Sequence, residues 1–250
     1  MSEEKKEAES GPAEHKRKSW PAWRVVLTDF IIVVLGVGVA LAAQQAVENL
    51  HDRARADEAR ASIKAEIADN LGRMNLRQAR EACIARKLGE IDRLIADYPR
   101  GLVPSELVWI GMPFAWLMHD SKYKAAGQSG AVSLLGDSEQ ATYADLYAVF
   151  TAYADEARKE GQAWDDLRTL EKRPPYSATL DWQLRSAMQH ARSARFGVTL
   201  GRMVGLREGA DIGVAPAPLK DDSPITACLP LNTPRAEVEK SFAASGLSHP

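Results

Sequence analysis

The residues able to act as bases, nucleophiles or metal ligands are few and widely spaced. The five histidines are His15, His51, His119, His190 and His249, and no two form the i, i+4 pair that seats zinc on a helix. Two cysteines, Cys83 and Cys228, offer no C-x-x-C pair, so a thiolate zinc site is excluded. His119 adjoins Asp120, but adjacent side chains diverge and do not converge on one target, so the pair reads as structural or exposed. Gly127-Gln128-Ser129-Gly130-Ala131 approaches the G-x-S-x-G nucleophile elbow and fails at Ala131. It reads better as a Gly-Ser turn between helices. Gly36-Val37-Gly38 is no dinucleotide fingerprint, because Leu41 stands where the third glycine belongs. No P-loop, kinase set or EF-hand loop occurs, and no cofactor is expected.

One covalent chemistry remains. Cys83 and Cys228 form a single disulfide if the domain lies in an oxidising compartment, and two independent buried thiols or an intermolecular bridge otherwise. Cys83 directly precedes the apolar seam residue Ile84, whereas Cys228 falls in a proline-rich segment without helical periodicity.

The elements that place these residues are organised around 20–49, WPAWRVVLTDFIIVVLGVGVALAAQQAVEN. Within 25–43 only Thr28 and Asp29 are polar. Nineteen residues at about 1.5 Å each give about 28 Å of helix, close to the ~30 Å hydrocarbon core. Trp20 and Trp23 sit where an interfacial aromatic belt belongs. The strictly apolar run, 30–43, is short enough to suit a signal-peptide core, and Ala40-Leu41-Ala42 fits a cleavage site. The long preceding tail and the helix-favouring sequence running through that site favour an uncleaved anchor. Lys16, Arg17 and Lys18 lie beside the span on its N-terminal side, which predicts a cytoplasmic N-terminus and a periplasmic C-terminal domain. Gly36, Ala40 and Ala43 share one helix face, and such small residues let two helices pack closely in lipid.

The pattern Trp23-x-x-x-x-x-Asp29-Phe30, the aliphatic run with Gly36, and Ala40-Leu41-Ala42-Ala43-Gln44-Gln45-Ala46-Val47-Glu48 followed by an Ala/Glu/Arg-rich helix resemble a group of uncharacterised bacterial proteins. The resemblance covers 20–71 most strongly, with a weaker echo over 121–146. It implies a single-pass inner-membrane protein with a helical extramembrane domain, and brings no reaction and no catalytic residues.

The remainder of the chain is patterned for helix. Residues 1–19 are charged and expected to be disordered. From 44 to 98 there is no proline, and a 4,3 spacing runs through Ile63, Ile67, Asn70, Met74, Arg77, Glu81, Ile84, Leu88, Ile91 and Ile95. That register suits one face of an intrachain bundle better than a dimeric coiled coil, since Arg53 and Arg60 occupy it upstream. The apolar stretch 107–118 is too short to span a membrane and is expected to pack beneath the long helix; an interfacial segment and a pocket wall are the alternatives. Tyr143, Tyr147, Phe150, Tyr153 and Trp164 recur at roughly helical spacing, as core packing or as an aromatic ligand cage. Ser177 or Thr179 caps the next helix, and Thr233 with Pro234 opens a short one at 236–244.

The expected architecture is all-α: a disordered cytoplasmic tail (1–19), a transmembrane helix with its flanks (20–49), a helical extramembrane domain (50–208) and a proline-rich C-terminal segment (209–250). The net charge of −2 argues against nucleic acid as a partner. The expected partners are the lipid bilayer, and a second copy or another membrane or periplasmic protein. The function class that fits is a non-enzymatic scaffold or interaction protein, with a helical-bundle sensory or ligand-binding domain as the alternative.

Overall fold

The computed structural model describes residues 22–102, 109–221 and 226–244. The expected disordered tail, Trp20, and Leu107 and Val108 of the apolar stretch lie outside the described residues. The fold is all-α, with six helices and no strand among the described residues: α1 (Ala22–Ala79), α2 (Glu81–Asp97), α3 (Ser121–Gln128), α4 (Asp137–Leu167), α5 (Ala178–Asp211) and α6 (Arg235–Ala244). The chain divides into two compact units after Asp52.

In the first unit every residue from 26 to 51 is exposed. This part of α1 carries the one described stretch long and apolar enough to cross a membrane, judged by length and composition. No atom outside the local backbone lies within 4 Å of where a Cβ on Gly36 or Gly38 would sit, so the small-residue face is open.

The second unit is a helical bundle whose seam follows the 4,3 register. Ile63, Ile67, Asn70, Met74, Arg77, Ile84, Leu88, Ile91 and Ile95 are all buried. Each buried isoleucine contributes about 1.5–3 kcal/mol relative to an exposed one. Helices α4 and α5 pack extensively on each other, and α5 runs antiparallel to α1 and α2: Arg192 meets Asp92, Arg202 meets Asn75, and Gly209 meets Leu71. The buried apolar residues fall into two clusters. One joins Ile63, Ile67, Leu71 and Met74 of α1 to Tyr143, Tyr147 and Phe150 of α4. The other joins Ile84, Leu88 and Ile91 of α2 to Trp164 of α4 and Leu184, Met188 and Ala191 of α5.

Helix ends follow local chemistry. Ser177 caps α5, its hydroxyl accepting from the Leu180 N–H at 3.1 Å. Gly101, with φ +71°, closes the turn after α2. Helix α6 starts one residue earlier than its sequence suggests. Pro234 accepts from the Glu237 and Val238 amides, and the Thr233 hydroxyl donates back to Pro230 O at 2.7 Å.

The long helix differs from expectation by breaking at Arg80. The Arg80 amide turns to Arg77 O at 3.2 Å, and its guanidinium reaches across to Asp221. The apolar stretch also differs. From Trp109 to Met118 it forms neither helix nor strand: Gly111 adopts the left-handed φ +71° and Pro113 lacks an amide donor, and both interrupt a helix. Trp109 and Ile110 are buried, and exposure then alternates until Leu117 stands 77% exposed.

Gly72 marks a close backbone approach. The segment after α5 crosses α1 there, the Ala217 amide donating to Ala68 O at 2.8 Å. A Cβ on Gly72 would lie 2.5 Å from Ala217 O, whereas one on Gly89 meets nothing within 4 Å. Gly89→Ala should stabilise the protein by about 0.5–1 kcal/mol through helix propensity. Gly72→Ala should destabilise it by about 1–3 kcal/mol through overpacking against an unyielding carbonyl. Urea unfolding of the detergent-solubilised chain reads both; equal signs would contradict the crossing.

Candidate functional site

Charged side chains recur within the bundle, and each has a defined place. Between the two apolar clusters lies an ionic layer. Arg77 donates to both oxygens of Glu160, at 2.8 and 3.0 Å, and to Glu81 at 2.8 Å. The other Glu81 oxygen accepts from Arg195. Helices α1, α2, α4 and α5 each contribute one member, so two cations and two anions neutralise one another at the crossing. Arg77 and Glu160 are almost wholly buried. Burial pushes the Glu160 carboxyl upward, with Arg77 opposing it. Burial also works against the Arg77 cation, but Glu160 outweighs it and raises the guanidinium's pKa.

A second buried carboxylate, Glu66, caps α3. It accepts from the Lys122 amide at 2.9 Å, the Ser121 hydroxyl at 3.0 Å and the Tyr147 hydroxyl at 2.6 Å. Burial raises its pKa, but these donors win and hold it below the usual value. One turn along α1, Asn70 exchanges two hydrogen bonds with the His119 backbone, at 2.7 and 2.8 Å. These contacts fasten the 109–118 segment to α1. The His119 ring is half exposed and 3.5 Å from Asp69, while Asp120 pairs with Lys124.

The third cluster surrounds Lys87, whose ammonium is buried and donates at 2.5 Å to both Trp109 O and Leu229 O. Trp109 in turn donates its amide to Leu231 O at 2.7 Å. One turn back on α2, Cys83 is joined to Cys228, with Cα atoms 5.0 Å apart and within the ordinary span of a disulfide. Three contacts thus fix the 109–118 segment and the proline-rich segment to α2, and a fourth joins the two segments to each other. Burial pulls the Lys87 ammonium down to about 8, with Glu90 and Glu171 working against it.

The aromatic residues read as either core or cage are core: Tyr143, Tyr147, Phe150, Tyr153 and Trp164 are all buried. Tyr147 stacks on Tyr123 at 4.4 Å and meets Phe150 edge-on at 5.6 Å. Among the described residues, no group of three or more His, Cys, Asp or Glu is placed to hold a metal. His190 is exposed, and with Asp166 it lines two shallow open depressions of about 350 and 430 Å³ between α4 and α5.

The exposed surface of α5 is different in kind. Trp182 is 69% exposed, Phe196 69%, Leu200 49% and Met203 59%. Trp182, Phe196 and Met203 are separated by 14 and 7 residues, so they share one face of the helix. The helical spacing of Leu180, Leu184, Ala187, Ala191, Val198 and Met203 predicts a single packed face; the first five are buried, but Met203 is 59% exposed and belongs to this second face. The signal was present as a second apolar set offset from the first. Likewise Arg77 and Glu81 stood out as polar insertions in the seam, while Glu160 and Arg195, far away in the chain, carried no sign of pairing with them.

Two outcomes follow from the buried charges. Glu160→Gln should cost about 3–5 kcal/mol, because it strands a buried guanidinium. The double variant Arg77→Met, Glu160→Leu should recover most of that loss, and a thermal-unfolding double-mutant cycle measures it; additive losses would show that the pair is not coupled. For Lys87, the native pKa near 8 lies below the unfolded value near 10.5, so the folded state loses its proton first as pH rises. The stability of the native chain relative to Lys87→Met should therefore rise between pH 8 and 10.5 and level off beyond. A flat difference over that window in urea titrations would show that Lys87 keeps an ordinary pKa.

The chain matches no protein-family model, no curated protein and no solved structure at significance.

Proposed function

We propose that this protein is a membrane-tethered, non-enzymatic scaffold or interaction protein of the bacterial inner membrane, with its helical domain in the periplasm. The observation that carries the reading is the exposed apolar face of α5. A soluble domain gains nothing by holding a tryptophan, a phenylalanine, a leucine and a methionine in water on one helix face; such patches mark contact surfaces. The buried charges support the same reading, since the Arg77, Glu66 and Lys87 groups are engaged in holding helices and segments together. The exposed apolar window of α1 supports the tether. The basic cluster at 16–18 favours a cytoplasmic N-terminus, and the resemblance to single-pass bacterial membrane proteins agrees with that placement.

The test is photo-crosslinking in intact membranes. A p-benzoylphenylalanine placed at Phe196 should give a discrete protein adduct, and one placed at Asp145, exposed on α4, should give none. Absence of any adduct from position 196 would remove the basis for an interaction role.

A further inference from the structure

Resting on that reading, we propose that the apolar face of α5 pairs with the same face of a second copy of this chain, held in the same membrane.

The amount of apolar surface argues for this occupant. Trp182, Phe196, Leu200 and Met203 at their observed exposures present on the order of 500 Å². A stable interface between freely diffusing proteins needs about 800 Å² from each partner. The face is therefore too small to hold a soluble partner firmly. It suffices for a partner already confined nearby, because tethering replaces bulk concentration with an effective concentration that reaches the millimolar range. A second copy, carrying the same anchor, meets that condition.

Charge and spacing fit a like-with-like contact. A two-fold pairing sets each patch against its own copy, which normally fails when the patch is charged. Two of the three exposed bases on this face, Arg185 and Arg192, are already paired within their own chain; the third, Arg207, stands one turn beyond Met203 at the end of the patch. Arg185 donates to both oxygens of Asp181, at 2.8 and 3.2 Å, and Arg192 donates to Asp92 at 3.0 Å. Trp182, Gln189, Phe196 and Met203 recur at intervals of seven, the period of a seam between two helices. Gln189, the polar member, tolerates an apposed copy of itself by side-chain hydrogen bonding. Aromatic residues, methionine and arginine are the types enriched at protein contacts.

The experiment uses the full-length chain in native membranes, co-expressed with two different epitope tags and carrying p-benzoylphenylalanine at Phe196. The expected product has twice the chain mass and contains both tags. With the photo-reactive group moved to Trp182, Leu200→Glu should reduce that product at least tenfold while leaving the melting temperature of the solubilised protein within a few degrees. An adduct of another mass with a single tag would overturn self-pairing and leave the interaction role standing. No adduct at all would overturn both. Dual-tag adducts of equal yield from positions 196 and 145, or ones insensitive to Leu200→Glu, would place the dimer contact elsewhere and overturn the assignment to α5.

Discussion

The bundle depends on the pairing of Arg77 with Glu160. Moving a charge out of water costs several kcal/mol even after relaxation, and a lone buried guanidinium would deprive the fold of much of its net stability. The cost is met only where Arg77, Glu160, Glu81 and Arg195 converge, which demands a fixed rotation and register of four helix segments. Leucine against leucine tolerates a shift by one turn; a bidentate guanidinium–carboxylate pair does not. The layer therefore contributes more to defining the arrangement than to net stability. It also explains why the apolar residues fall into two clusters, since α1, α4 and α5 cross a polar plane at the same height. This role in specificity is the established use of buried polar residues in helix pairs, applied here to an antiparallel bundle.

The break at Arg80 lies beside the same plane. Arg77 and Glu81, four residues apart, share the face toward α4 and α5. Arg80, at the interruption, pairs with Asp221 and lies 5.4 Å from the Trp116 ring. The interruption forgoes regular helical bonding at one residue, and each guanidinium meets a carboxylate. The 109–118 segment and the chain after α5 are held by side chains from either side of this break.

How much of this was legible in the sequence depends on whether the signal was local. The all-α fold, the buried seam from Ile63 to Ile95 and the Ser177 cap follow from periodicity and capping chemistry, which act over a few residues. The aromatic series Tyr143 to Trp164 was legible as helical but not as core rather than cage, because periodicity finds a face and not what covers it. The break at Arg80 left no mark in composition, and the carboxylate that Arg80 meets there, Asp221, is 141 residues away. The apolar run near Trp109 read as a packed segment, yet Gly111 and Pro113 keep it out of helix and its exposure alternates, so the chain from Trp109 to Gly111 and Pro113 is buried while Met112, Ala115 and Leu117 are exposed. The exposed face of α5 was hidden for a different reason. A helix with two apolar faces resembles a core helix, and only the positions of α4 and α2 reveal which face stays uncovered.

The chain between α5 and α6 shows how mostly irregular chain is retained with little helical hydrogen bonding among its described residues. Ordering a residue costs about 1–2 kcal/mol in backbone entropy, and among the described residues between 212 and 234 the only helical turn is the short 3-10 helix Thr226–Cys228. Two devices act there on different states of the chain. The Cys83–Cys228 link encloses a long loop, with a sequence separation of 145, and in the chain-entropy model restricts the unfolded ensemble by at most about 5 kcal/mol. Lys87 acts on the native state alone, where its ammonium joins the carbonyls of Trp109 and Leu229. Their placement one helical turn apart on α2 makes them interdependent. The covalent link keeps Leu229 within reach of Lys87, and if that carbonyl withdraws the buried ammonium keeps one of its two described acceptors, the Trp109 carbonyl. Loss of either device should therefore weaken the other, so the segment is held by a coupled pair of restraints rather than by two independent ones.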